Sequence, residues 1–153
     1  MLVRDATQAD AEVITRFNRQ LAEETEGRAP DADTLRRGVE RGLARPEICR
    51  YWVAEEGGEV VGQAMVTYEW SDWRDGALWW FQSVYVAPFA RGRGVFRALY
   101  EHIAALAEAD ADAKGLRLYV EDDNRRALEV YRRLGMREAG YRVLEADWSG
   151  AFG

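Results

Sequence analysis

The sequence predicts a mixed α/β domain, and three observations carry that prediction. Apolar residues recur at two different spacings: four apart in Leu35, Val39 and Leu43, and bunched with β-branched residues in Glu59–Tyr68. The two kinds of segment interleave along the chain rather than falling into separate halves. One apolar run, Gln82–Val86, passes through a proline and two glycines directly into a helical pattern. Together these read as a sheet of six to seven strands flanked by about four helices.

Length and charge bound the possibilities. A chain of 153 residues is the size of one domain, and residues 1–153 are read as a single one, without repeats or linkers. Nothing approaches the ~18 consecutive apolar residues of a membrane span, and the N-terminus carries no apolar signal region. The cytoplasm is the default expectation, with no membrane partner. A net charge of −6 argues against a general nucleic-acid binder, which would present a basic face. Cys49 is the single cysteine and His102 the single histidine, so no disulfide or metal cluster is expected. A Cys49–His102 nucleophilic pair is conceivable by type, but His102 falls inside a helix as a surface or boundary residue.

In chain order, Leu2-Val3-Arg4 is a short strand. Thr7 or Asp10 caps a helix whose face carries Val13, Ile14, Phe17 and Leu21. Thr25–Pro30 is a polar loop, Asp31–Ala44 a second amphipathic helix, and Pro46 its stop. Arg50–Glu55 and Glu59–Tyr68 flank Gly57-Gly58, a strong hairpin signal. Glu69–Gly76 reads as a turn and Ala77–Val86 as a long strand. A helix follows from Val95, with Leu99, Ile103 and Leu106 on one face, and Lys114-Gly115 breaks the chain after it. Leu116–Val120 alternates as a strand. Asn124 is placed to cap a helix over Arg125–Leu134, with Gly135 as its C′ residue. Met136–Ala139 and Tyr141–Trp148 read as two final strands.

The junction Val86-Ala87-Pro88-Phe89-Ala90-Arg91-Gly92-Arg93-Gly94-Val95-Phe96-Arg97 carries the most chemistry. Pro88 ends the strand because it has no N–H for a ladder. A helix start leaves N–H groups without partners and favours negative charge. Gly92 and Gly94 let backbone amides close on a phosphate or pyrophosphate, and Arg91, Arg93 and Arg97 ring it with cationic donors. The same glycines would also serve a plain tight turn. A Walker loop would need Lys-Ser/Thr after its last glycine, where Val95-Phe96 stands. A dinucleotide fingerprint would need a third glycine, where Arg97 stands.

Arg91-x-x-Gly94-x-Phe96, preceded by Val84-Tyr85-Val86-Ala87-Pro88, resembles the Gln/Arg-x-x-Gly-x-Gly/Ala signature of the GNAT superfamily of acyl-CoA-dependent N-acyltransferases. Phe96 departs from it, and its bulk is expected to turn into the core beside Tyr100. Asn124-x-x-Ala127-x-x-x-Tyr131-x-x-x-Gly135-Met136 is similar to the family's second signature, with Met136 in place of Phe. Read without the family, Ala127, Tyr131 and Leu134 share one helix face, and Asn124 is a cap.

The resemblance implies the GNAT fold, a mostly antiparallel sheet with one splayed parallel pair, here Ala77–Val86 and Leu116–Val120. It implies acetyl-CoA as co-substrate, with a bulge near Gln82–Val84 freeing backbone groups for the pantetheine arm. Carried over by position, Val84, Tyr85 and Val86 line the arm and thioester. Gly92, Arg93, Gly94, Val95, Phe96 and Arg97, with Arg91, hold the pyrophosphate, and Asn124 approaches from the other side. Tyr131 is the implied general acid, with backbone N–H near Val84 supporting the oxyanion. The positions where relatives carry a base hold Trp80, Gln82, Ser83 and Tyr119 here. That leaves Glu121, Asp122, Glu69 or water.

The expected acceptor is a primary amine, a small cationic one in preference to a protein amine. Tyr68–Asp75 mixes aromatics with carboxylates and could cage an ammonium, or be an ordinary hairpin turn with its tryptophans on the core. The layout resembles the diamine and polyamine branch of the family, although that branch's acidic pair is Gln82-Ser83 here. A homodimer is compatible with the fold. The rival readings are an acyl-CoA-binding sensor with little catalysis and an unrelated nucleotide-binding α/β domain.

Overall fold

The computed structural model describes residues 1–152. One sheet runs through it in the order β1-β2-β3-β4-β5. Its strands are β1 (Leu2–Asp5), β2 (Cys49–Glu56), β3 (Glu59–Ser71), β4 (Gly76–Val86) and β5 (Ala113–Leu118). Neighbours are antiparallel except β4 and β5, which run parallel. The helices are α1 (Ala11–Glu26), α2 (Ala32–Leu43), α3 (Val95–Ala109) and α4 (Arg125–Arg133). This is the mixed α/β layout read from the sequence, with its splayed parallel pair where expected.

The sheet has two clothed faces. On one, Trp52, Ala54, Ala64, Val66, Trp79 and Phe81 pack with Val95, Leu99 and Ile103 of α3. On the other, Tyr51 and Val53 pack with Ile14 of α1 and Val39 of α2. Period-2 alternation along β2 assigns successive residues to these two helix layers. Gly62 lets α3 pack close against β3, since a Cβ there would sit 2.7 Å from Val95 Cγ1. Among the described residues no helix is long and apolar enough to cross a membrane.

Several boundaries move. Helix α1 extends to Glu26 through part of the expected loop, and Gly27 closes it at φ 74°. Strand β3 continues to Ser71, so the expected turn shrinks to Asp72–Asp75, with Asp75 at φ 50°. Strand β5 begins at Ala113, through the expected break at Lys114-Gly115. The reason is local: the Ala77 N–H donates to the Asp112 carbonyl at 2.7 Å, tying β5 to β4 from its first residue.

Among the described residues the strand count is corrected from six or seven to five. Residues 136–148 do not join the sheet, although Met136 packs on the core. Tyr141 is 75 %, Leu144 94 % and Trp148 93 % exposed. Alternation marks which side chains would share a face, but a strand exists only where a second backbone accepts its ladder bonds.

Candidate active site

The site is built where β4 parts from β5. Their pairing ends at Phe81↔Leu118, and beyond it β4 continues alone to Val86. On the opposite edge Gln82 faces Met65 while Tyr85 faces Gln63, so β4 spends one extra residue there. That is a β-bulge at Ser83–Val84, and Ser83 holds φ 49° within it. The expected bulge therefore lies in the expected place.

A buried amide braces it. Gln63 is fully buried, and its Nε2 donates to the Ser83 carbonyl at 3.0 Å and to Asn18 Oδ1 of α1 at 2.6 Å. Sequence reading missed both residues. The signal was a lone Gln inside the apolar run Val60–Val66.

Below the bulge, Tyr85 turns under α1, its ring 5.1 Å from that of Phe17. Its hydroxyl donates to Glu24 at 3.1 Å. Burial, then this carboxylate, raises the Tyr85 pKa. Val84 and Val86 pack partly on the α3 side. Arg91 closes the same corner: Nε donates to the Val86 carbonyl at 2.9 Å and Nη2 to the Glu24 carboxylate. Arg93 reaches Glu56 at 2.8 Å, and Arg97 reaches Glu101 at 2.7 Å on its own helix. All three arginines of the motif are thus engaged by carboxylates, which the sequence reading did not foresee.

The glycines behave as the loop requires. Gly92 and Gly94 stand at φ 79° and 82°, a region that favours glycine, and beyond their chain neighbours no described residue lies within 4 Å of a Cβ placed there. The first bond of α3 runs from the Ala98 N–H to the Gly94 carbonyl at 3.0 Å. The N–H groups of Val95, Phe96 and Arg97 precede it, and Gly94 offers no side-chain cap. Phe96 turns inward as expected, 6.0 Å from Tyr100 and 5.8 Å edge-on from Tyr131.

Phe96 thereby links the glycine loop to α4. Tyr131 is half-buried against it, and burial raises the phenol's pKa, so it stays protonated through neutral pH. Asn124 caps α4, its Oδ1 accepting from the Ala127 N–H at 3.1 Å. Gly135 ends the helix at φ 90°.

Other sequence expectations separate here. Cys49 packs on the α1–α2 face and His102 lies on α3 across the sheet, so they form no pair. Burial raises the Cys49 thiol's pKa, which opposes nucleophilicity. The Tyr68–Asp75 segment assembles neither a cage nor a core-packed turn. Tyr68 packs edge-on against Trp79, while Trp70 and Trp73 are 63 % and 87 % exposed. Glu69 is held by Arg117 Nη1 at 2.6 Å. Beside this face a cavity of about 500 Å³ opens between α2 and Tyr51, Met65 and Thr67. Burial pushes the Tyr51 pKa up to about 12, so its phenol is neutral there.

Residues 13–136 match the model of the acetyltransferase (GNAT) family. The chain belongs to the GNAT acetyltransferase family. As a GNAT acetyltransferase it is an acyltransferase, and its co-substrate is acetyl-CoA. It is 28 % identical over 148 residues to thialysine N-epsilon-acetyltransferase of Bos taurus, spanning 90 % of this chain and 85 % of that one. Among solved structures, a possible acetyltransferase from Clostridium difficile 630 has a TM-score of 0.88 and 40 % identity, covering 95 % of this chain and 96 % of that one. A predicted acetyltransferase from Clostridium acetobutylicum, solved with acetyl-CoA, shares the fold at a TM-score of 0.74 and 19 % identity, covering 95 % of each chain.

Proposed function

We propose that this GNAT enzyme acetylates the primary amine of a small molecule by direct transfer from acetyl-CoA. The observation that carries the reading is the conjunction at the end of β4. A bulge and a strand gap open beside a helix start that has spare N–H groups and no side-chain cap. A cofactor with an amide-rich arm and a pyrophosphate tail suits that conjunction. The backbone of Val84, Tyr85 and Val86 pairs with the arm as an added strand would. The Gly92–Arg97 turn, with Arg91, takes the pyrophosphate.

The amine lone pair attacks the thioester carbonyl. Charge collects on its oxygen, and the Val84 N–H supports it. The C–S bond then breaks, and Tyr131 protonates the departing thiolate. Burial keeps that phenol protonated at the start. The amine's own proton leaves through water, because the candidate carboxylates suit the task poorly. Glu69 is ion-paired to Arg117, and Glu121 and Asp122 lie exposed past β5. A small amine is favoured because the bovine relative's name specifies one.

The test is thiol release from acetyl-CoA across a panel of small amines and lysine peptides. Acetyl transfer to a small amine, lost in Tyr131→Phe, is expected. Binding of acetyl-CoA without turnover on every amine would overturn the reading.

A further inference from the structure

Ahead of the β4 bulge, the α1–α2 face of the sheet carries side chains that belong to none of the apolar core clusters. Trp80 of β4 lies between Thr67 of β3 and Arg117 of β5 in the register. The Arg117 guanidinium sits 5.9 Å from the Trp80 ring centre. Tyr119, just past the last β4–β5 pair, brings its ring to 4.5 Å from Trp80. Gln82 Nε2 donates to Thr67 Oγ1 at 3.4 Å, and Glu69 closes the edge with its bond to Arg117. Trp80 is half-buried and Tyr119 is 55 % exposed, so this aromatic surface remains open.

Arg117 is unevenly used. Its side chain is only 22 % exposed, against 46 % for Glu69. A guanidinium has five N–H donors in a rigid fork. Among the described residues a single bond, Nη1 to Glu69, occupies one of them. A half-exposed cross-strand ion pair adds little stability. A guanidinium held over an aromatic ring with free donors is, by contrast, pre-organised for a planar anion.

From these observations we infer that Arg117 reads a carboxylate on the acceptor, so that the substrate is a primary amine that also carries an acid group. The inference rests on the small-amine reading above and sharpens it. Trp80 stands three residues before Ser83, or roughly 10 Å at the rise of a strand. With the reach of the arginine subtracted, that spacing suits a side-chain amine and a carboxylate at opposite ends of an extended amino acid. Glu69 then serves as the partner Arg117 keeps when the site is empty.

The experiment compares amines in pairs that differ by one carboxylate: lysine with 1,5-diaminopentane, and shorter homologues likewise. The expected result is a kcat/KM at least ~10-fold higher for the carboxylate-bearing member of the best pair. Arg117→Gln should bring that ratio to within ~3-fold, mostly through KM, and Arg117→Lys should restore part of it. A parent enzyme that prefers the diamine, or a ratio unmoved by Arg117→Gln, overturns the inference while leaving acetyl transfer intact. Tryptophan fluorescence of the coenzyme A-saturated protein supplies a readout independent of turnover. Saturable, Arg117-dependent binding of lysine supports the inference even if no thiol is released, an outcome that would sink the transfer reading alone. Absence of saturable binding and of turnover for every carboxylate-bearing amine sinks the inference.

Discussion

Helices α3 and α4 meet through Phe96 and Tyr131, and they begin differently. Helix α4 starts at Asn124, whose side chain accepts from the Ala127 N–H at 3.1 Å. Helix α3 starts at Gly94, at φ 82°, with no side-chain cap. A helix start is usually satisfied from within its own chain, as α2 also is through Asp31 and the Thr34 N–H at 3.0 Å. Leaving one start open is destabilising on its own, and among the described residues none beyond their chain neighbours lies within 4 Å of a Cβ placed at Gly92 or Gly94. That difference is what the proposed pyrophosphate site rests on: a glycine-bearing start whose own N-cap residue offers no side chain.

The largest expected effect tests that openness. Replacing Gly92 and Gly94 together with valine puts side chains into the vacant space and strains two positive-φ positions. Loss of two charge-assisted contacts corresponds to about 4 kcal/mol, or ~1,000-fold in coenzyme A affinity by calorimetry. Unchanged affinity would make the two helix starts equivalent and remove the basis of the comparison. Next comes Tyr131→Phe, where the proposed contribution of α4 is a side chain rather than an N–H. A drop of about 100-fold in kcat is expected, with coenzyme A affinity within ~3-fold of the parent.

How much of this was legible in the sequence follows from the range of each interaction. The glycine loop, the Asn124 cap and the Gly135 stop are local, and each residue's chemistry states its own role. Phe96 was legible too, because a large aromatic next to Tyr100 on a helical period has one place to go. What the sequence did not display are partners brought together by the fold. Glu24 on α1 meets Tyr85 and Arg91, Asn18 meets Gln63, and Glu69 meets Arg117. The surplus strands at 136–148 erred for the same reason, since pairing is a property of two segments and pattern a property of one.

The turn that leads into α1 extends the contrast through pH. Asp10, ahead of α1, is almost fully buried. It accepts from Arg4 at 2.8 and 2.9 Å and from the Thr7 N–H at 2.8 Å. The Arg4 hydrogen bond is the main cause that lowers its pKa. A carboxyl whose folded pKa is depressed stabilises the fold above its unfolded value of about 3.9. That contribution is lost as pH falls through the lowered folded value. The melting temperature should therefore decline below about pH 4, and Asp10→Asn should flatten that decline while lowering the plateau at neutral pH. An identical acid slope in the variant would show that this turn is held by packing rather than by charge.

The smallest effect falls on the cap itself and separates its two ends. Asn124 Oδ1 is committed to the Ala127 N–H, which leaves the amide Nδ2 as the group with which this residue can approach the cofactor. Asn124→Ala removes both, and loss of the cap costs about 1 kcal/mol. In a chain this size that lowers the melting temperature by ~2–4 °C. Asn124→Asp keeps an acceptor at the helix start, so stability should return to the parent value. Its carboxylate cannot donate, however, and in the proposed site it would face a polyanionic ligand, so coenzyme A affinity should stay ~3–10-fold weak. If Asn124→Asp restored affinity together with stability, Asn124 would be a cap and nothing more. The cleft would then be served by the uncapped helix alone.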